Sequence, residues 1–269
     1  MTVQRAYHLS TSEDPAREKA RLAVQARATG NAERDALLEA GIETSQVLLE
    51  LGCGPNLATG MLAELAPQAR IITLDYDQRS LASGGPRRVS VGSRVVPVCG
   101  DVTQLPLTPA CADFAYMRFL LQHVKDPRAA LRQAMSVVGE HGVVCALDGD
   151  FGVLTVHPEL PAVAHAVALD LLTHSARGGD RRIGRKLVDH FHAAGLVDIQ
   201  ARTVMATSAE LGRERFRTLF LDPLLAASPA ELQNAARAEL DTWVADPRSF
   251  ALLAGVMAWG RNAGGSHAS

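Results

Sequence analysis

The stretch VLLELGCGPNLAT, residues 47–59, decides the fold. It runs from apolar residues into glycines at positions 52 and 54, as a buried strand runs into a turn that a nucleotide-like ligand can approach closely. A dinucleotide-binding turn would need a third glycine where this chain has Leu57, and a Walker-type phosphate loop would need a lysine that the stretch lacks. The turn therefore favours a ligand with a cationic end, received by the acidic Glu50, over a pyrophosphate.

Short apolar runs alternate with helical segments on both sides of this stretch, from residue 45 to residue 150. The strand-like runs are QVLLEL, ARIITLDY, RVVPVCGD, ADFAYMRFLL and GVVCALDGD. Such alternation is typical of a doubly wound parallel sheet with helices on both faces, and right-handed crossovers leave few topologies for it. The sequence therefore predicts an α/β, Rossmann-like core over residues 45–150.

The segments that flank this core are predicted to cover it. Residues 1–44 are rich in Ala, Arg, Leu and Glu and are expected to form an N-terminal helical lid. Residues 151–269 hold the remaining strands, and the stretches of about 151–180 and 206–248 are too long for tight connections. We expect helical caps there, which would enclose a small-molecule acceptor.

Composition argues against several classes of partner. The chain has 269 residues and a formal net charge of -2, so no global charge favours nucleic acid or an acidic membrane surface. No apolar run reaches membrane-spanning length and the N-terminus resembles no signal peptide, so we expect a cytoplasmic protein. The four cysteines form no C-x-x-C pair and indicate neither disulfides nor zinc. The basic run at 181–186 is interpreted as a solvated helix face.

Carboxylates follow the second and third strands, where a ribose and a base would need them. Asp75 ends the second strand and can accept hydrogen bonds from both ribose hydroxyls, and Tyr76 can lie against an adenine face. Asp101 follows the third strand and can accept a hydrogen bond from an adenine amino group, beside the N–H of Val102. Dinucleotide enzymes use the same ribose carboxylate, so these residues alone do not exclude a nicotinamide-dependent oxidoreductase.

Five segments resemble, in order and spacing, the successive motifs of class I S-adenosylmethionine-dependent methyltransferases. They are VLLELGCGP, ITLDYD, CGDVTQLPL, ADFAYMRFLLQHVKDPRAAL and VVGEHGVVCALDGD. Within that family they are most similar to the small-molecule group that includes the ubiquinone and menaquinone C-methyltransferases and enzymes of bacterial secondary metabolism. GLVDIQARTVMA and FALLAGVMAWGR resemble the family's last two strands. The resemblance implies a seven-stranded, mostly parallel sheet with an antiparallel edge pair, and S-adenosylmethionine as cofactor with S-adenosylhomocysteine as product.

By position, the resemblance places the methionine part of the cofactor against residues 50–54, the ribose on Asp75 and the adenine near residues 76 and 100–102. Arg118, just beyond the fourth strand, is predicted to pair with the methionine carboxylate; the alternative is a surface arginine that caps a carbonyl. The N-terminal helices would fold over the cofactor, with Tyr7, Arg21 or Gln25 either touching it or serving as ordinary helix residues. The predicted cofactor-binding residues are Tyr7, Gln25, Glu50, Gly52, Cys53, Gly54, Asp75, Tyr76, Gly100, Asp101, Val102 and Arg118.

Two positions depart from the family pattern. Asn56 stands where the family has a third small residue in the turn, and asparagine is the non-glycine residue that best tolerates positive φ. Residues 140–142, EHG, replace the usual Pro-Gly-Gly before the fifth strand. The first change is compatible with the turn, and the second is expected to alter only a surface turn.

Methyl transfer needs no nucleophile from the protein, so the candidate catalytic residues are bases near the carboxyl ends of the fourth and fifth strands. They are His123, Asp148 and Asp150, and each has a structural alternative: a histidine hydrogen-bonded within its helix, and aspartates that cap the next helix. No metal site is predicted, because the spacing of the five histidines from 157 to 192 is not compact. Those histidines are His157, His165, His174, His190 and His192.

The sequence therefore predicts an S-adenosylmethionine-dependent methyltransferase that acts on O, C or N of a small organic acceptor, with a slight preference for a secondary metabolite. One alternative is an enzyme that binds the same cofactor and catalyses a non-methylating cyclisation or pericyclic reaction. The other alternative is a nicotinamide-dependent oxidoreductase. It is less favoured because Leu57 stands where a dinucleotide-binding turn has its third glycine. Neither nucleic acid nor a membrane is expected as a partner, and the oligomeric state stays open.

Overall fold

The computed structural model describes residues 30–82 and 94–264 of the chain. Tyr7, Arg21 and Gln25, and with them most of the predicted N-terminal lid, lie outside the described residues. Their contacts with a cofactor stay predictions.

A single sheet of seven strands forms the centre of the fold. The strands are β1 (Val47–Leu51), β2 (Arg70–Asp75), β3 (Val95–Cys99), β4 (Ala112–Arg118), β5 (Val138–His157), β6 (Val197–Thr207) and β7 (Phe250–Arg261). Their spatial order is β3-β2-β1-β4-β5-β7-β6; β1 to β5 run parallel, and β7 is antiparallel to both of its neighbours. This arrangement confirms the predicted Rossmann-like α/β fold and its antiparallel edge.

Helices connect the strands and cover both faces of the sheet. In chain order they are α1 (Gly30–Glu39), α2 (Thr59–Leu65), α3 (Gln78–Ala82), α4 (Pro127–Val137), α5 (Pro161–Ala176), α6 (Leu187–Ala194), α7 (Ser208–Leu211), α8 (Arg213–Phe216) and α9 (Ala230–Ala245). Short 3-10 or π turns lie at Ile42–Thr44, Leu121–His123, Ile183–Lys186, Arg217–Leu221 and Asp222–Leu225. Within the described part of the chain, none of these helices has the length and apolarity that a bilayer span requires.

The side chains of β1 alternate between two separate layers of core. Leu49 and Leu51 pack with residues of α4 and α6, whereas Leu48 packs with residues of α1 and α2. Since side chains two residues apart share a face of the sheet, Glu50 points to the same layer as Leu48. The acidic residue at the end of β1 is therefore drawn into the interior rather than left in solvent.

The turn after β1 depends on left-handed backbone conformations. Gly52, Gly54 and Asn56 have φ values of 68°, 50° and 57°, and Asn56 thus adopts the positive φ that its residue type tolerates. At Gly52 a Cβ would lie 2.6 Å from Cδ1 of Leu120. The positive φ therefore favours glycine at position 52, and a Cβ there would also displace the side chain of Leu120.

β5 is longer than the sequence predicts at both ends. Its pairing with β4 jumps from Ala112–Val138 to Phe114–Val143, so residues 140–142 form an irregularity within the strand and not a separate turn before it. At its other end β5 continues to His157, where it still pairs with β7. The predicted cap of about 151–180 consequently begins as strand.

The cap rests on this extension of the sheet and has a core of its own. Phe216 of α8 and Trp243 of α9 are fully buried and pack with Val163 of α5. Ala206 of β6 and Ala251 of β7 belong to the same cluster. The helices after residue 160 therefore form a layer that packs on the ends of β5, β6 and β7. This layer lies beyond the carboxyl edge of β4.

Substitutions at position 56 test the left-handed conformation. Asn56→Ala should have a free energy of unfolding about 1–2 kcal/mol lower than that of Asn56→Gly, because a Cβ disfavours positive φ and glycine has none. Urea unfolding of the two variants measures the difference. Both lose the same buried carboxamide, so equal stabilities would contradict the positive φ at this residue.

Candidate active site

A buried carboxylate ends β1. Glu50 is 2% exposed and accepts a hydrogen bond of 2.5 Å from Oγ1 of Thr59, the first residue of α2. Burial raises the pKa of Glu50 to about 7, and the Thr59 hydrogen bond and the positive charge of Arg118 offset part of the rise. Near neutral pH the carboxyl is therefore balanced between its neutral and charged forms, and a cation bound beside it would favour the charged form.

The carboxylate of Asp75 joins the end of β2 to the turn after β1. Its Oδ2 accepts a hydrogen bond from the N–H of Gly54 at 2.8 Å, and its Oδ1 accepts one from the N–H of Asp77 at 2.9 Å. The N–H of Gly52 donates to the carbonyl of Leu74, 2.7 Å away. Asp75 thus lies beside the glycine turn, and part of its hydrogen-bonding capacity holds that turn in place.

The loop after β3 reaches the same edge of the sheet. The N–H of Gly100 donates to the carbonyl of Asp75 at 3.0 Å. Asp101 accepts hydrogen bonds from the N–H and the hydroxyl of Thr103, both at 2.8 Å. Val102 is buried and Tyr76 is half-buried. At this edge the structure brings together the predicted residues Glu50, Gly52, Cys53, Gly54, Asp75, Tyr76, Gly100, Asp101 and Val102.

Arg118 forms a buried ion pair with Glu33 of α1. Its Nε donates to the two carboxylate oxygens at 2.8 and 3.1 Å, and the hydroxyl of Tyr116 donates to the same carboxylate at 2.8 Å. The Arg118 side chain is 12% exposed, and its guanidinium lies 4.6 Å from the ring centre of Phe119. The alternative of a surface arginine that caps a carbonyl is therefore wrong, and the pairing of Arg118 with a cofactor carboxylate stays a prediction.

Sequence reasoning misses Glu33, which is fully buried. A signal for it exists, because Ala36 and Leu37 are buried as well and positions 33, 36 and 37 share one face of a helix. A carboxylate on an apolar face needs a charged or hydrogen-bonding partner inside the protein. Which residues supply that partner, here Tyr116 and Arg118, depends on how α1 packs against β4.

His123 lies in the 3-10 turn after β4. It is half-buried, and its ring contacts that of His174 on α5, with 5.1 Å between the ring centres. Burial, followed by the charge of Arg181, holds the pKa of His123 well below its usual range. His123 is consequently neutral at physiological pH, the form in which a base accepts a proton. Its catalytic role stays a prediction.

Asp148, a candidate base, lies in the interior of the protein. It is fully buried, and its Oδ2 accepts a hydrogen bond of 2.9 Å from the N–H of Leu121 at the start of the 3-10 turn. Burial raises the pKa of its carboxyl to about 8. Because β5 is covered on both faces between residues 142 and 150, Asp148 stabilises the turn after β4, and its catalytic role stays a prediction.

Asp150 forms an ion pair within the protein. Nε and Nη2 of Arg185 donate to its two oxygens at 2.5 and 2.9 Å, and the N–H of Gly152 donates to Oδ1 at 2.9 Å. The alternative that Asp150 caps a helix is wrong, since the residue lies inside β5. The basic run at 181–186 is also more than a solvated face, because Arg181 pairs with Asp170 of α5. A role of Asp150 toward the acceptor stays a prediction.

Metal ligands are not clustered in the described ranges. Within residues 30–82 and 94–264, no group of three or more His, Cys, Asp and Glu side chains is placed to hold a metal ion.

Comparison with known proteins connects this edge of the sheet to a family. A family model described as a methyltransferase domain matches residues 49–146. The chain is 34% identical over 137 residues to demethylmenaquinone methyltransferase from Mycolicibacterium paratuberculosis, which covers 48% of this chain and 56% of the relative. It is 31% identical over 171 residues to the protein of the same name from Mycolicibacterium gilvum, which covers 58% of this chain and 71% of the relative. This chain belongs to the class I S-adenosylmethionine-dependent methyltransferase family.

Solved structures share the fold of this methyltransferase at low identity. The [4+2]-cyclase SpnF superposes with a TM-score of 0.52 and 17% identity, covering 87% of this chain and 82% of that chain. A likeness at this identity concerns the fold alone. The chain spans only a little more than half the length, 56%, of the relative from Mycolicibacterium paratuberculosis.

The raised pKa values of Glu50 and Asp148 make the stability of the folded chain depend on pH. Both carboxyls stay protonated in the folded chain at mildly acidic pH. Their protonated forms stabilise the folded state. This contribution is complete below the unfolded pKa values of about 4, and it is lost as pH rises through about 7 for Glu50 and about 8 for Asp148. The free energy of unfolding should therefore fall between about pH 4 and 8, with a limiting slope of about 1.4 kcal/mol per pH unit for each group.

Asp148→Asn should flatten the upper part of this decline, because a carboxamide does not ionise. Asp246→Asn is the matched control: hydrogen bonds from Arg248 lower the pKa of Asp246 to about 2, so its removal changes the pH dependence of stability only below about pH 4. Urea unfolding at successive pH values measures both variants. A wild-type slope in Asp148→Asn would contradict a protonated carboxyl at position 148.

Proposed function

We propose that this chain binds S-adenosylmethionine at the carboxyl edge of β1, β2 and β3 and transfers its methyl group to a small organic acceptor. One observation carries the proposal: the hydrogen bond from Gly54 to Asp75, which holds a glycine turn against the carboxylate that ends β2. Membership of the methyltransferase family supports it.

The residues at this edge suit the separate parts of the cofactor. Asp75 would accept hydrogen bonds from the ribose hydroxyls, and the loop with Asp101 and Val102 would receive the adenine beside Tyr76. The residues that end β1 and the turn after it would lie along the methionine part. Arg118, at the end of β4, would bind its carboxylate.

The chain contributes binding and alignment to such a reaction. Bound here, S-adenosylmethionine would supply an electrophilic methyl group that a nucleophile takes in line with the departing sulfur, leaving S-adenosylhomocysteine. The charges of Asp75 and ionised Glu50 favour a sulfonium cofactor over its neutral thioether product. The same carboxylates would therefore assist both binding of the cofactor and release of the product.

The acceptor would lie under the cap. The layer formed by α5, α8 and α9 stands on the extension of β5 and β7, beyond the end of β4. An enclosed site suits a small organic molecule better than a nucleic acid or a membrane surface, and a secondary metabolite fits it. The name of the relatives makes a quinone-like ring the first acceptor to test.

The nucleophile of the acceptor needs to be reactive in its own right. Asp148 is buried against Leu121 and protonated near neutral pH, and Asp150 is paired with Arg185, so neither carboxyl is placed to take a proton from the acceptor at neutral pH. An acidic hydroxyl or an activated carbon meets this requirement, because its proton leaves easily. O- and C-methylation are favoured over N-methylation of a protonated amine on that ground.

A non-methylating cyclisation with the cofactor as a charged scaffold is the second candidate, and the cyclase with a similar fold gives reason to test it. Mass spectrometry of the products separates the two candidates. A gain of one CH2 unit together with S-adenosylhomocysteine supports methyl transfer. A product of unchanged mass, formed only in the presence of the cofactor, would replace the first proposal with the second.

Asp75→Asn should weaken binding of S-adenosylhomocysteine about 10- to 100-fold, since hydrogen bonds to a charged group contribute about 1.5–3 kcal/mol. Calorimetric titration measures the dissociation constant. Asp113→Asn is the control, because Asp113 accepts hydrogen bonds from Gln46 and Val47 at the opposite edge of the sheet. Wild-type affinity in Asp75→Asn would show that the ribose binds elsewhere.

Binding of the cationic cofactor should release protons through Glu50. The pKa of its carboxyl is about 7, and a nearby cation lowers it, so the affinity for S-adenosylmethionine should rise from about pH 6 to pH 8. Calorimetry in buffers of different ionisation enthalpy detects the released proton. Glu50→Gln should abolish the release. Equal proton release in wild type and variant would assign the proton to another group.

A further inference from the structure

α1 directs a carboxylate into the interior of the fold. Glu33 is fully buried, and it lies on the face of α1 that also buries Ala36 and Leu37. A buried charge without a partner costs several kcal/mol. Packing of α1 in this position therefore requires a cation beside Glu33. That cation is Arg118, whose Nε is 2.8 Å from the carboxylate.

The contacts of Glu33 fix the position of the Arg118 side chain. Tyr116 donates its hydroxyl to the same carboxylate at 2.8 Å and lies opposite Glu50 in the pairing of β4 with β1. Phe119 lies 4.6 Å from the guanidinium. Arg118 is thus held by a charge on one side and a ring on another, and a planar guanidinium held this way recognises a carboxylate with little loss of entropy.

Charges of both signs lie close together at this corner. Glu33 and Glu50 are both close enough to Arg118 to affect its ionisation, and Asp75 acts on Glu50 in turn. A ligand that carries a carboxylate and an ammonium on one carbon matches such an arrangement, because each of its charges meets an opposite one. The α-amino acid end of the cofactor is such a group.

We propose that Glu33 is a positioning residue for the amino-acid end of S-adenosylmethionine, acting through the guanidinium of Arg118. This inference rests on the proposed function. Glu33 touches no part of the cofactor in this scheme, and it determines where the carboxylate of the methionine moiety binds. The helix that precedes the sheet thereby contributes to cofactor recognition.

Glu33→Gln tests the inference, because it keeps the size of the side chain and an acceptor for Tyr116 but removes the charge. The probes are S-adenosylhomocysteine and 5′-methylthioadenosine, which lacks the amino-acid end. Calorimetric titration should show S-adenosylhomocysteine binding weakened about 10-fold or more, with methylthioadenosine binding changed less than about 2-fold. Glu39→Gln is the matched control, since Glu39 lies on the same helix and pairs with the exposed Arg202.

A double-mutant cycle separates positioning from a general effect on the fold. In an Arg118→Gln background, Glu33→Gln should no longer change the ratio of the two affinities, because the residue through which it acts is gone. If Glu33→Gln does not fold, Tyr116→Phe removes one contact of the same carboxylate and should shift the ratio in the same direction by a smaller factor.

Three results overturn the inference. An unchanged ratio of affinities in Glu33→Gln makes Glu33 structural only, and a shift of equal size in the Arg118→Gln background shows that it does not act through Arg118. Failure of the wild type to bind either probe overturns the proposed function itself, and the inference falls with it. Binding of both probes by the wild type keeps the two questions apart.

Discussion

The hydrogen bond between the N–H of Gly54 and the carboxylate of Asp75 joins the first two strands at the edge where all the parallel strands end. In a parallel sheet the carboxyl ends of the strands lie at a single edge. Residues that are far apart in the chain are therefore neighbours there. The loop after β3 adds a hydrogen bond from Gly100 to the carbonyl of Asp75. The turn, the carboxylate and the loop thus support one another, and the candidate site depends on their shared edge.

Burial of charge gives that edge its chemical character. Glu50 and Asp148 lie where water is excluded, which raises their pKa values to about 7 and about 8. Glu33 is buried as well and pairs with Arg118. In each case the low local dielectric strengthens the effect of a neighbouring charge. A site of this kind responds strongly to a ligand that brings its own charges, as a sulfonium amino acid does.

The cap is coupled to the site through polar contacts as well as through its own core. Arg181 connects α5 to the turn after β4. Its Nε donates a hydrogen bond to Asp170 of α5, and its Nη1 donates one of 3.3 Å to the side-chain oxygen of Gln122 in that turn. Arg185 joins the following 3-10 turn to Asp150 on β5. Displacement of α5 would therefore disturb the turn that holds His123.

The sequence by itself determined the order of strands and helices, the glycine turn and the carboxylates that follow β1, β2 and β3, because periodicity and turn residues are local properties. It also determined that Asn56 would tolerate a positive φ. Only the tertiary structure decided which partners the charged residues have: Glu33 pairs with Arg118, and Asp148 is buried. It also decided that the start of the predicted cap belongs to β5. These outcomes depend on which elements pack together, and a side chain's burial, partner and pKa are set by neighbours that lie far away in the chain.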